Sequence, residues 1–188
     1  MRAFFAIDLS SEIKNSIGIL IKELAFAGKG IKWVGQGNLH VTLKFLGEVE
    51  DGRLAEIFYA VNQAAGGSGS FKLKAGTLGF FPGPKRPKVL WAGITEGGGK
   101  VSEIYAAIEK RLFQCGFPKE EKESTFVPHI TIGRIKTLSV ENALIRSMEE
   151  KKGIPFGSME ADRIVIMKSV LGKDGPQYSP VYEIYLKK

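Results

Sequence analysis

The chain has 188 residues, a formal net charge of +7 and a single cysteine, Cys115. That length supports one domain with a sizeable core, and a make-up of 44% apolar and 25% charged residues excludes wholesale disorder. One cysteine excludes an internal disulfide and points to a reducing compartment. The two histidines, His40 and His129, are too few for a three-His or four-ligand metal site without carboxylates or Cys115.

Residues 2–9 (RAFFAIDL) form the first predicted strand, short, aromatic and closed by polar residues. This apolar opening is too short for a secretory leader, and the longest apolar run, Ile17–Ile21, falls well below the ~20 residues of a membrane span. A cytoplasmic protein with no membrane role is expected. Ser10 or Ser11 caps a helix in which Ile13, Ile17, Leu20, Ile21 and Leu24 recur at helical spacing through Ala27, and Gly28 and Gly30 end it. Strands follow over 31–34 (IKWV) and 39–46 (LHVTLKFL), stopped by Gly47, then a helix over 52–65, a GGSGS connector and a strand over 71–80.

The second half repeats this order. A strand over 89–94 (VLWAGI) precedes a helix over 101–115, a strand over 126–135 (FVPHITIGRI), a helix near 139–151, and strands near 159–171 and 178–187. Strand, helix, His-bearing strand, helix and strand occur twice, which predicts one domain over 1–188 with quasi-repeats at about 2–80 and 88–188 around a pseudo-twofold. Connections too short for parallel crossovers predict mainly antiparallel sheets, an α+β fold.

Both histidines stand in one frame, His-aliphatic-Thr-aliphatic: His40-Val41-Thr42-Leu43 and His129-Ile130-Thr131-Ile132. Threonine is scarce here (positions 42, 77, 95, 125, 131 and 137), so its recurrence two places after every histidine is informative. On a strand, His and Thr share a face while the aliphatics turn inward. A regular first strand sends Val41, Leu43 and Phe45 into the core and sets His40, Thr42 and Lys44 together. In the second, His129, Thr131 and Gly133 share the other face. Two imidazoles with reference pKa ~6.5 can divide general-base and general-acid work, and two hydroxyls can donate to oxygens held between them. That set suits in-line displacement at a phosphodiester without a metal or other cofactor.

At these residues the sequence resembles the two-histidine phosphoesterase superfamily, and within it the RNA 2′,3′-cyclic phosphodiesterase (2′-5′ RNA ligase) family. The resemblance runs nearly end to end through RAFFAIDL, NLHVTLKFLGEV, VLWAGI, FVPHITIGR and the closing FGSMEADRIVIMKSVL…GPQYSPVYEI. It implies a bilobal fold, two sheets with flanking helices, and both motifs facing across a central cleft. It also implies metal-free hydrolysis of an RNA-terminal 2′,3′-cyclic phosphate to a 2′-phosphate, with a weak reverse 2′-5′ joining. His40 matches the proton donor and His129 the proton acceptor, with Thr42 and Thr131 on the non-bridging oxygens. The expected partner is an RNA end, such as a tRNA fragment, or a cyclic nucleotide, handled by a monomer. RNA joining as the main role, or an RNA-end binding module whose histidines only position phosphate, are the alternatives.

Further candidates surround the motifs. Arg134 either meets phosphate bidentately or is an ordinary strand-end arginine, Lys44 joins it if its strand stays regular, and Phe126 either stacks on a base or packs in the core. Phe4 and Phe5 lie on opposite faces of one strand, so at most one reaches the cleft. The basic loop PGPKRPK (82–88) either follows an RNA backbone or simply bridges the two halves. Gly97-Gly98-Gly99-Lys100 lacks phosphate-loop spacing and reads as a turn, and Cys115 reads as a packed thiol. The +7 charge favours polyanions such as RNA, DNA or nucleotides, a solubilising surface being the alternative.

Overall fold

The structure, a computed structural model, describes residues 1–25, 30–118, 126–136, 142–172 and 175–188. Its elements in chain order are β1 (Arg2–Asp8), α1 (Ser11–Leu24), β2 (Ile31–Trp33), β3 (His40–Glu48), α2 (Asp51–Ala65), β4 (Phe71–Phe81), β5 (Val89–Glu96), α3 (Gly98–Gln114), β6 (His129–Ile135), α4 (Asn142–Glu150), β7 (Pro155–Ala161), β8 (Arg163–Gly172) and β9 (Gly175–Tyr185). The Ser10 hydroxyl accepts from the Ile13 amide and caps α1. The expected helix end at Ala27 and Gly28, and the start of the fourth helix at 139–141, lie outside the described residues.

All named strands pair antiparallel in one strongly curled nine-stranded sheet of order β7-β4-β5-β6-β3-β1-β8-β9, with β2 on β6. The α+β architecture agrees with the sequence reading. The two expected sheets are two halves joined at one residue pair, Val41↔Ile130, where β3 meets β6. Both residues are fully buried, and each directly follows a motif histidine.

The halves of the sheet are not the halves of the sequence. β4 pairs with β5 and β7, while β8 and β9 extend the sheet from β1. The loop 82–88 is too short for a parallel crossover and favours an antiparallel pair, so β4 crosses into the second half-sheet. The chain interleaves its two lobes instead of setting them side by side.

One face of the sheet carries Phe5, Ile7, Val41, Leu43, Leu90, Ala92, Ile130 and Ile132 into the main core. Against it lie Ile13, Ile17 and Leu24 of α1, Leu54, Ile57 and Val61 of α2, Val101, Ile104 and Ile108 of α3, and Leu144 and Met148 of α4. Burial of these apolar stripes orders the helices on that side, leaving the opposite face to carry polar chemistry. Among the described residues no helix is long and apolar enough to cross a membrane.

Candidate functional site

The uncovered face is built by strand register. On β1, Phe4, Ala6 and Asp8 stand opposite Phe45, Thr42 and His40 of β3. On β5, Gly93, Trp91 and Val89 stand opposite His129, Thr131 and Arg134 of β6. Antiparallel pairing at Val41↔Ile130 turns each histidine towards the threonine of the other motif. His129 is near enough to lower the proton affinity of His40. The structure therefore brings the two expected His-Thr pairs onto one surface.

Each imidazole is held the same way. His40 Nδ1 lies 2.7 Å from the Asn38 carbonyl, and His129 Nδ1 lies 2.8 Å from the Val127 carbonyl. A carbonyl only accepts, so Nδ1 carries the proton in both rings and Nε2 is the nitrogen that gains or loses one. His40 Nε2 lies 2.9 Å from Thr42 Oγ1, which donates to it in the neutral ring. Pro128 before the second motif keeps Val127 extended, the geometry from which its carbonyl meets the ring.

Both motif strands then bulge at the same place. The register skips Leu43 on β3 and Ile132 on β6, leaving two successive residues on the core side of each strand. Lys44 consequently does not share the His40 face. It is 4% exposed, its Nζ 2.5 Å from Glu109 Oε1 of α3 and 3.2 Å from the Pro118 carbonyl. Phe45, expected in the core, is turned out beside Phe4. The second bulge buries Gly133 and brings Arg134 onto the His129 face, exposed at the surface. A Cβ at Gly133 would stand 3.0 Å from Ile31 Cγ2 and 3.1 Å from Trp33 Cε3, which explains a glycine there.

Phe126 is not with the histidines either. Its ring stacks flat on Tyr105 of α3, centroids 3.9 Å apart and planes 4° from parallel, packed against the main core. A nearby aromatic on the helix side gave it more apolar contact than the cleft could offer. Phe4 is the first-strand aromatic that faces the site, its centroid 4.9 Å from that of His40, while Phe5 is fully buried. Of the 97–100 segment, expected as a turn, Gly97 caps α3 and Gly98–Lys100 already belong to the helix, while Cys115, half-buried, stands at its C-cap.

Other residues complete the site without any local signal in the sequence. Tyr178 of β9 meets His40 edge-on at 5.4 Å and Phe4 at 4.9 Å. Phe4, Ala6, Val165 and Met167 form a small second apolar cluster under Tyr178. Asp8, paired to Lys14 at 2.7 Å, borders a cavity of about 140 Å³ beside His40. On the other side, Phe81 stands edge-on to His129 at 4.9 Å and packs against Trp91. Trp91 lies across Gly79, and Thr77, held at φ 57° in a bulge of β4, fills the space over Gly93. These groups arrive through long-range pairing, which no short motif announces.

Burial pushes the His40 pKa below its ordinary 6.5, against the raising effects of the Asn38 carbonyl and Asp8; Lys14 and His129 push the same way as burial. Burial raises the Tyr178 phenol, and the cations Arg134 and Arg2 oppose it. Arg134 thus reaches electrostatically to the ring that borders His40. Among the described residues, no three of His, Cys, Asp and Glu gather as a metal site. A larger hollow between α2 and α3, about 460 Å³ and lined by Gln63 and Arg111, lies on the helix side.

Comparison with known proteins places these features in a wider set. A family model described as LigT-like phosphoesterase matches residues 7–91 and again 94–178. The chain is 37% identical over 183 residues to an RNA 2′,3′-cyclic phosphodiesterase of Methanocaldococcus jannaschii, spanning 97% of this chain and 99% of that protein. It is 35% identical over 184 residues to one of Thermotoga maritima, spanning 97% and 94%. A crystal structure of a Thermus thermophilus protein shares the fold at TM-score 0.79 and 23% identity, covering 100% of this chain and 98% of that one. So does Escherichia coli LigT complexed with 3′-AMP, at TM-score 0.77 and 22% identity, with coverage of 100% and 98%.

Proposed function

The chain belongs to the LigT-like phosphoesterase family, and we propose on that footing that it hydrolyses the 2′,3′-cyclic phosphate at an RNA end to a 2′-phosphate. The observation that carries the proposal is the meeting of β3 and β6 at Val41↔Ile130, which turns two His-Thr pairs onto one face. Both Nδ1 atoms are committed to backbone carbonyls, so each ring offers Nε2 alone to the substrate.

In this reading His129 Nε2 takes a proton from water as the water oxygen bonds to phosphorus. The bond from phosphorus to the ribose 3′ oxygen breaks opposite the attack, and His40 Nε2 gives that oxygen its proton. Thr42 and Thr131 donate to the non-bridging oxygens, and Arg134 supplies positive charge to them as it builds in the transition state. The donor and acceptor roles follow the family resemblance.

A half-buried His40 whose proton affinity is lowered needs help to act as an acid. The bound cyclic phosphate supplies it, because an anion within a few ångströms favours the imidazolium. Substrate therefore charges its own acid, and the resting site avoids a buried cation. Phosphorus NMR of a 2′,3′-cyclic nucleotide incubated with the protein tests the proposal. Conversion to the 2′-monophosphate in excess chelator is the expected result, and persistence of the cyclic resonance at high protein concentration overturns it.

A further inference from the structure

One row across the His129 half of the face is more basic than the chemistry at phosphorus requires. Phe81, Val89, Arg134 and Lys32 are successive cross-strand partners on β4, β5, β6 and β2. Their neighbours Leu90 and Gly133 point to the core, so these four present their side chains to the site face. Arg134 and Lys32 are both exposed and directly opposite each other, an arrangement in which like charges repel. Among the described residues neither side chain has an ion-pair or hydrogen-bond partner to offset that repulsion.

Lys32 also reaches across the site. Its Nζ lies 3.4 Å from where a Cβ would stand on Gly175, at the start of β9 in the other half of the sheet. Gly175 has φ +123° and no side chain, so nothing at that position blocks the ammonium. Asn38, whose carbonyl holds His40, donates to the Pro176 carbonyl at 2.7 Å and fixes the same stretch of β9 beside the first motif. One end of the site is thus spanned by an ammonium with a guanidinium at its side. Beyond them in the strand direction come Lys88, whose carbonyl accepts from the Ile135 amide, and the exposed Lys85 and Arg86 of the loop.

A cyclic mononucleotide bearing a 5′ hydroxyl has one phosphate, which the histidines, threonines and Arg134 engage. An RNA end has a second, the diester joining its last nucleotide to the rest of the strand. We propose that Lys32 binds this second phosphate, so that the site selects an RNA end over a free cyclic nucleotide. The assignment rests on the reaction proposed above and names its substrate class.

The test compares kcat/KM at 0.1 M salt for a trinucleotide ending in a 2′,3′-cyclic phosphate and for 2′,3′-cyclic AMP with a free 5′ hydroxyl. Lys32→Gln lowers the trinucleotide value about fivefold relative to the mononucleotide value, as expected for one lost phosphate contact on a single strand. The loss falls in KM, and the dependence of log kcat/KM on log salt flattens by about 0.7. Lys32→Arg keeps the preference, while Lys110→Gln, which removes a charge from α3, leaves the ratio unaltered. Equal losses on both substrates, no loss on either, or the same change from Lys110→Gln would overturn the assignment. Wild-type protein inactive on both substrates would instead overturn the reaction itself, so the two failures are separable.

Discussion

The two halves of the site share a frame and differ in what surrounds it. In each, an imidazole donates from Nδ1 to the carbonyl two residues back, a threonine follows two places on, and a bulge comes next. Around His40 stand Phe4, Tyr178 and the Asp8–Lys14 pair. Around His129 stand Phe81, a glycine under Thr77, and the exposed Arg134. The common frame aims two identical nitrogens. The differing surroundings act on their chemistry, and those of His40 lower its proton affinity, which the substrate anion has to restore before that ring can act as an acid.

The largest expected effect removes the frame itself. His40→Ala and His129→Ala each lower kcat by about 10²–10⁴ on a 2′,3′-cyclic substrate, while thermal melting and the circular dichroism spectrum stay native. The double variant loses little more than either single one, because the two rings act as a unit. A double variant whose loss equals the product of the single losses would show that the halves work independently.

The residues after the bulges set a second contrast, in stability. Lys44 and Gly133 hold equivalent places, but Lys44 buries a charge against Glu109 while Gly133 makes room for Trp33 and Ile31. Lys44→Ala strands the Glu109 carboxylate beneath α3, with an expected loss of about 3–5 kcal/mol in urea unfolding. Gly133→Ala overpacks instead and costs about 1–3 kcal/mol. A Lys44 variant that keeps full stability but loses turnover would return that lysine to the site.

Those same positions show where the sequence stops being legible. Most of the strand and helix order and the His-Thr face follow from periodicity and from one repeated four-residue frame, but the single strand expected near 159–171 is two, β7 and β8, which break at Asp162 and pair with different halves of the sheet. A bulge leaves no such trace, since HVTLKF alternates as well as any regular strand. Its presence exchanged Lys44 for Phe45 on one side and Gly133 for Arg134 on the other. The partners Tyr178, Asp8 and Lys32 were hidden for another reason. They reach the site face through pairings between β1 and β3, β8 and β9, and β2 and β6, which depend on the whole sheet. Phe126 goes to the core because it stacks on Tyr105 of the preceding helix, α3, a side-chain contact that no strand or helix periodicity announces.

The smallest expected effect concerns the lowered proton affinity of His40. Burial holds the His40 pKa below 6.5, and Asp8 opposes that shift as its directly paired neighbour. An acid that loses its proton at lower pH confines kcat/KM to lower pH, so the alkaline limb governed by His40 begins below 6.5 in the free protein. Replacing Asp8 with Asn removes the carboxylate that favours the imidazolium, and this limb moves further towards acid. Stability follows the same sign. The unfolded chain binds a proton at His40 more readily than the folded one, so unfolding becomes easier as pH falls through 6.5 and gains nothing above it. Asp8→Asn steepens that loss when urea midpoints at pH 5.5 and 7.5 are compared, apart from any pH-independent cost of freeing Lys14. An alkaline limb that moved upward in the variant would show that Asp8 acts on His40 through position and not through charge.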